Sequence, residues 1–213
     1  MSARKLTEDI EAFAARMRQS RLMLQAQQGR VSRKTVERYL RAIHYLVRHT
    51  PVHLELARKR AEFLCETELA GYFERKAGEE SGHDRWAEAD LVALGASLDG
   101  GAVSVSSVVA LEKYLRKIIE EDPGRYLAYI LFAEYFTVLM GSEWVQTLEQ
   151  RCGVPPRSMS VIERHVDLDK GHVVDGIREI ETLISDPERL ERLHETLEQS
   201  MRYFAAFCDE LAA

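Results

Sequence analysis

His165, Asp169 and His172 form an H-x3-D-x2-H pattern inside a stretch of helical periodicity. At about 100° per residue the three positions fall within roughly 60° of one another, so a helix presents them on one face. Two imidazoles and a carboxylate are the donor types that suit iron, manganese or zinc. The plainer account is a solvated polar face, because Glu163, Asp167 and Lys170 lie beside them. Glu134 is a second signal. It is the only charged residue between Tyr126 and Met140, in a stretch apolar on every face and therefore expected to be buried. A buried carboxylate must find a cation, a proton or a metal. A salt bridge to an arginine or a retained proton would satisfy it as well as a metal. The third signal is the E-x-x-H pair Glu80 and His83, the unit that carboxylate-bridged di-metal bundles place on a helix. The same spacing recurs at Glu191 and His194. There it borders the apolar stripe Leu190, Leu193, Leu197, Met201 and Phe204 and reads as structural.

The elements that must position these residues are helical throughout. No run of alternating β-branched residues stands out except Val103–Val109, which flows into helical sequence. A first helix is expected over Thr7–Gln28, broken near Gly29. A second, capped by Ser32, carries Val36, Tyr39, Leu40, Ile43, Leu46 and Val47 on one face. Pro51 suits the start of a third helix, His53 to about Lys76. Gly78 and Gly82 punctuate the next segment, whose helix runs to Leu94 and stops at Gly95. Asp99-Gly100-Gly101 reads as a loop, and Ser104–Glu121 as helix. After the turn Asp122-Pro123-Gly124, the apolar helix is expected to end at Gly141, and Ser142 to cap a short helix to Arg151. Pro155 and Pro156 open a helix over about Arg157–Ile184, and Pro187 starts the last one. The expected fold class is all-α, one domain over residues 1–213 with about seven to nine helices.

Composition narrows the function. Of 213 residues, 35 are acidic and 29 basic, a formal net charge of -6, which offers no basic footprint for nucleic acid and little attraction to an anionic membrane. Cys65, Cys152 and Cys208 are too few and too far apart for a disulfide framework or a CxxC zinc site, which points to a reducing compartment. The N-terminus is polar, and the longest apolar run is short and carries Glu134, so a cytoplasmic protein without signal peptide or membrane span is expected.

Three stretches together, EESGHDRWAEADLVALG at 79–95, RYLAYILFAEYF at 125–136 and ERHVDLDKGH at 163–172, resemble the heme-oxygenase-like di-metal oxidases and oxygenases. That superfamily shares its bundle with thiaminase-II-like proteins and the pyrroloquinoline-quinone synthase group. The resemblance runs from about Arg33 to the C-terminus. It implies a seven-helix bundle with two metal ions, iron or alternatively manganese, between the central helices. Carried over by position, Glu80, His83, Glu134, His165, Asp169 and His172 are ligands, with Glu79 the alternative to Glu80 and Glu134 bridging. The family's first core helix normally supplies a further glutamate before a V-R-x-x-P-like end. Here Val47-Arg48-His49-Thr50-Pro51 forms that end, but the acid's place reads Arg41-Ala42-Ile43, with Glu37 and His44 as the residues able to substitute.

The activity so implied is dioxygen-dependent oxidation of a small organic molecule, with a homodimer as a further expectation. Glu134, Tyr129 and Tyr135 are the candidate catalytic residues, and Tyr45 a further redox or hydrogen-bonding candidate. Arg41, Arg48 and Arg164 are candidate carboxylate binders. Rival readings share the fold. A heme oxygenase would need an axial histidine early in the chain, and Thr7–Gln28 has none. A thiaminase-like hydrolase would need a nucleophilic cysteine, and neither Cys152 nor Cys65 has a base beside it in sequence. A cofactor-free oxidase would leave Glu134 and the H-x3-D-x2-H set without a cation, whereas a non-catalytic binding protein with a decayed site would account for the missing first-helix acid.

Overall fold

The protein is described by a computed structural model over residues 3–98 and 104–213. Among these residues the secondary structure is helical, in the order α1 (Ala3–Met17), α2 (Arg21–Gln27), α3 (Arg33–Phe63), α4 (Thr67–Glu79), α5 (Asp84–Ala93), α6 (Ser106–Glu121), α7 (Tyr126–Cys152), α8 (Ser160–Leu183) and α9 (Pro187–Ala212). The loop expected at Asp99-Gly100-Gly101 lies outside the described residues, as does Val103. No helix among the described residues is long and apolar enough to cross a membrane.

The apolar helix α7 is the axis of the bundle. It packs most extensively on α8 and also meets α1, α2 and α9, while α3 packs on α4, α5 and α6. This explains its composition: residues 126–132 are all buried, which a helix with only one covered face could not achieve. Its core partners include a cluster of Phe13, Phe132, Phe136 and Phe204 from α1, α7 and α9, with ring centroids 4.7–6.4 Å apart.

Four expected boundaries are corrected. The first helix is two, because Ser20 caps a new start by accepting a hydrogen bond from the Met23 amide at 3.3 Å. Pro51 does not begin a helix but lies inside α3, which continues to Phe63 and ends before Cys65, a residue at φ 61°. Gly141 does not end α7, which runs on to Cys152. A Cβ there would stand 2.5 Å from Val166 Cγ2 and 3.0 Å from Ile162 Cγ2, so this glycine lets α7 and α8 approach closely. α8 begins at Ser160, after a 3-10 turn at Pro156–Ser158.

Candidate metal centre

Glu80 and His83 do not share a helix. Glu80 closes α4, and the chain turns through Gly82, at φ 84°, before α5 begins at Asp84. That turn still brings His83 Nδ1 to 3.2 Å from Glu80 Oε2, with both residues buried. Trp86, one turn into α5, stacks on the His83 ring at 4.1 Å and 22°, and Arg164 lies over the other ring system of this stack, 5.0 Å from the Trp86 centroid. Trp86 thus serves to fix the plane of His83.

α8 supplies the facing groups. His165 Nδ1 lies 2.6 Å from the Val161 carbonyl, which can only accept, so Nδ1 carries the proton and Nε2 keeps its lone pair. The His165 and His83 rings meet edge to face at 5.0 Å. One donor atom from each of Glu80, His83 and His165 lies within 4.8 Å of the others. Glu80, Glu134 and His172 form a second such trio. His172 Nδ1 is 3.2 Å from Asp169 Oδ1 and 3.7 Å from Glu134 Oε1. α8 itself is held by a residue to which the sequence reading assigned no role. Asp90 of α5, fully buried, accepts from the Ser160 amide and hydroxyl (3.0 and 2.6 Å) and from the Val161 amide (2.8 Å). Met159, at the cap position, has no side chain able to do this.

Lys76 is the other unforeseen member. Its buried ammonium lies 2.5 Å from Glu134 Oε1, 3.1 Å from Glu79 Oε2 and 3.9 Å from Glu80 Oε1. The carboxylate of Glu134 is nonetheless without a hydrogen bond of proper angle at either oxygen. The partner is therefore a lysine, where an arginine, a proton or a metal was expected. Lys76 stands four residues before Glu80, the spacing at which a lysine and a glutamate meet on one helix face, and that was the available signal.

Burial drives the electrostatics. Burial pushes the Glu134 carboxyl up to about 7, against the pull of Lys76. Burial, then the charges of Glu134 and Glu80, pushes Asp169 up to about 8. Burial also raises Glu80, but its hydrogen bond with His83 and the Lys76 charge together outweigh this, and it lies below the ordinary glutamate value. Burial holds His165 and His172 below the usual histidine value, in the neutral form that a metal requires.

Other expected residues divide. Tyr129 lines the same cavity as Glu80 and Glu134. Tyr135 does not reach it: its hydroxyl donates to Glu11 of α1 at 2.6 Å. Adjacent residues on a helix point about 100° apart, and Glu134 takes the inward direction. Glu79 is half exposed and 3.7 Å from His172 Nε2, so Glu80 is the glutamate gathered with His83 and His165. Glu37 is tied to Arg41 at 2.7 Å, and His44 Nε2 lies 3.4 Å from Glu88 of α5, so neither supplies the missing first-helix acid. Tyr45 packs against the His49 ring, tilted by 43° at 4.3 Å. Arg41 and Arg164 are committed to Glu37 and to Trp86.

The cavity measures about 190 Å³. Lys76, Glu80, Glu134, His165 and Asp169 form the ionisable part of its wall, and Ile43, Leu54, Leu111, Phe132 and Met140 are typical of the rest. The hydroxyl of Tyr126, fully buried in that wall, has no hydrogen-bond partner.

Solved structures with the same arrangement of helices decide the fold. A domain of unknown function from Shewanella denitrificans OS217, described as having a heme oxygenase-like fold, matches over 99% of this chain and 92% of its own, with a TM-score of 0.88 and 17% identity. The chain has the heme-oxygenase-like fold. A CADD-like protein of unknown function from Nostoc punctiforme PCC 73102 matches this heme-oxygenase-like chain with a TM-score of 0.77 and 16% identity, covering 99% of it and 96% of the Nostoc chain. A TenA homolog from Pseudomonas syringae pv. tomato DC3000 matches with a TM-score of 0.76 and 16% identity, covering 98% and 91%. No family model and no curated protein matches the sequence.

The residues of the heme-oxygenase-like bundle fit one ion. Glu80, His83 and His165 offer a carboxylate and two imidazoles around one point, with His165 already held by its second nitrogen. They do not fit two equally, because the second trio shares Glu134 and Glu80 with the Lys76 ammonium.

Proposed function

We propose that this chain is a non-heme metal-dependent oxidase or oxygenase, using iron or alternatively manganese with dioxygen on a small apolar molecule. The observation that carries the reading is the convergence of Glu80, His83 and His165, two of which, Glu80 and His165, line a mainly apolar cavity. Two imidazoles with a carboxylate and open positions suit iron, which when bound supplies electrons to dioxygen.

The chain's own residues do the rest. Val161 and Trp86 hold the rings of His165 and His83, so the donors are oriented before any ion arrives. The cavity wall excludes water from the reacting groups and favours a substrate with an apolar body. Glu134, poised at about 7, can hold or release a proton at its carboxylate near neutral pH. The unpaired Tyr126 hydroxyl is a donor available to a bound polar group.

The test is metal content and oxygen uptake. Protein loaded anaerobically with ferrous ion should retain iron after desalting and consume oxygen faster than free ferrous ion, and His165→Ala should lose both. Protein that retains no transition metal after loading would overturn this reading in favour of cofactor-free chemistry. The internal Lys76–Glu134 pair supports that alternative, because it leaves Glu134 with a cation even without metal.

A further inference from the structure

We propose that the Lys76 ammonium is a built-in replacement for the second metal ion, so that the chain binds a single ion at Glu80, His83 and His165. This rests on the metal-binding reading above and sets its stoichiometry.

Position is the first argument. A divalent ion on Glu134 would stand about 2.0–2.2 Å from a carboxylate oxygen. Lys76 Nζ already stands 2.5 Å from Glu134 Oε1, with Glu79 Oε2 and Glu80 Oε1 at 3.1 and 3.9 Å. The place where carboxylates from α4 and α7 converge on a cation is therefore taken by a side chain. An ion entering beside it would face a fixed positive charge a few ångströms away, in surroundings too dry to screen it.

Charge balance is the second. Glu80, Glu134 and Asp169 are the buried carboxylates of the site, and Glu79 is half exposed to water. One divalent ion together with Lys76 matches the charge of these three carboxylates in their ionised form. Two divalent ions with Lys76 would leave a buried excess of positive charge, which the histidines, having no negative charge, cannot offset. The ligand set agrees, since the first trio makes no use of Glu134 or Lys76, and neither Glu37 nor His44 completes a second position.

The cation role also explains why Lys76 is buried at all. Without Glu134 the buried ammonium would keep only the half-exposed Glu79 and the more distant Glu80, and Glu134 without Lys76 would lose its nearest cation. Each is the other's partner, and the pair joins α4 to α7 across the cavity.

The experiment is anaerobic titration of the full-length metal-free protein with Mn(II), followed by equilibrium dialysis, metal analysis and electron paramagnetic resonance. The wild type is expected to bind one tight equivalent with the spectrum of an isolated Mn(II). Lys76→Met is expected to bind a second equivalent, at least tenfold tighter than any second site of the wild type, and to show coupling between the two ions. Glu134→Gln keeps the single tight equivalent, because Glu134 belongs to the lysine. His165→Ala loses it. Two tight equivalents in the wild type would overturn the proposal and leave the metal-binding reading intact. A second equivalent absent from a folded Lys76→Met, or loss of the tight ion in Glu134→Gln, would overturn it equally. No Mn(II) or Fe(II) bound by the wild type would overturn the metal-binding reading itself. Helix content by circular dichroism confirms that each variant is folded, and the wild-type stoichiometry is decisive whatever the variants do.

Discussion

Asp90→Ala is the perturbation whose cost can be worked most directly. Asp90 sits on α5 with no exposure to solvent and accepts three hydrogen bonds from the first residues of α8. Two come from backbone amides that have no partner inside their own helix, and the carboxylate faces the positive end of the α8 dipole. An ordinary capping residue contributes about 1 kcal/mol. A buried charged acceptor contributes about 1.5–3 kcal/mol per bond, and an amide left unsatisfied in the core costs about 1–3 kcal/mol. These overlap, so the loss is about 3–4 kcal/mol rather than their sum. At 2–4 °C per kcal/mol for a domain of this size, Tm should fall by roughly 6–15 °C. Asn keeps an acceptor oxygen for one side only, so Asp90→Asn should lose about half as much. The effect should reach the metal centre, because the Val161 carbonyl that orients His165 belongs to the turn that Asp90 holds. Retained metal should weaken by about tenfold, equivalent to about 1.4 kcal/mol. Thermal or urea unfolding and hydrogen exchange at residues 160–165 are the assays. An Asp90→Ala protein within 1 kcal/mol of the wild type, or unchanged exchange in that turn, would refute the reasoning.

Other predictions follow from the same contacts. Between about pH 6.5 and 8 the unfolded chain has ionised Glu134 and Asp169, whereas the folded metal-free protein still holds protons on them, at about 7 and 8. The folded state therefore binds more protons, stability falls as pH rises through this window, and calorimetry of metal-free protein should show a lower Tm at pH 8 than at pH 6.5. The lowered histidines His53, His165 and His172 act in the opposite sense but below that window. Bound metal should flatten the slope, and equal slopes with and without metal would contradict the assignment. Gly141→Ala should destabilise by about 1–3 kcal/mol, despite alanine's better helix propensity, because its Cβ meets Val166 on α8; a stabilised variant would mean the helices part freely. Tyr135→Phe removes only a surface hydrogen bond to Glu11, so it should cost less than about 1 kcal/mol and leave oxygen uptake unchanged, and a loss of uptake would return Tyr135 to the site.

Sequence alone determined what depends on neighbours along one helix. The apolar circumference of residues 126–140 marked α7 as buried, and the spacing of His165, Asp169 and His172 put them on one face of α8, because both follow from 3.6 residues per turn. Glu80 and His83 were paired correctly, although a glycine turn and not a helix brings them together. Tertiary structure decided whatever needed two elements to meet. It chose Lys76 as the partner of Glu134, turned Tyr135 toward α1, and joined Asp90 to α8 across 70 residues of chain. Local pattern also failed at Pro51 and Gly141, where an expected helix start and an expected helix end lie within continuous helices. Gly141 is kept by the close approach of α8, a contact that local sequence cannot encode. The physical reason is the same in each case. Periodicity records which face of a helix is covered, but the charge or surface that covers it comes from a distant segment, and only packing brings that segment into place.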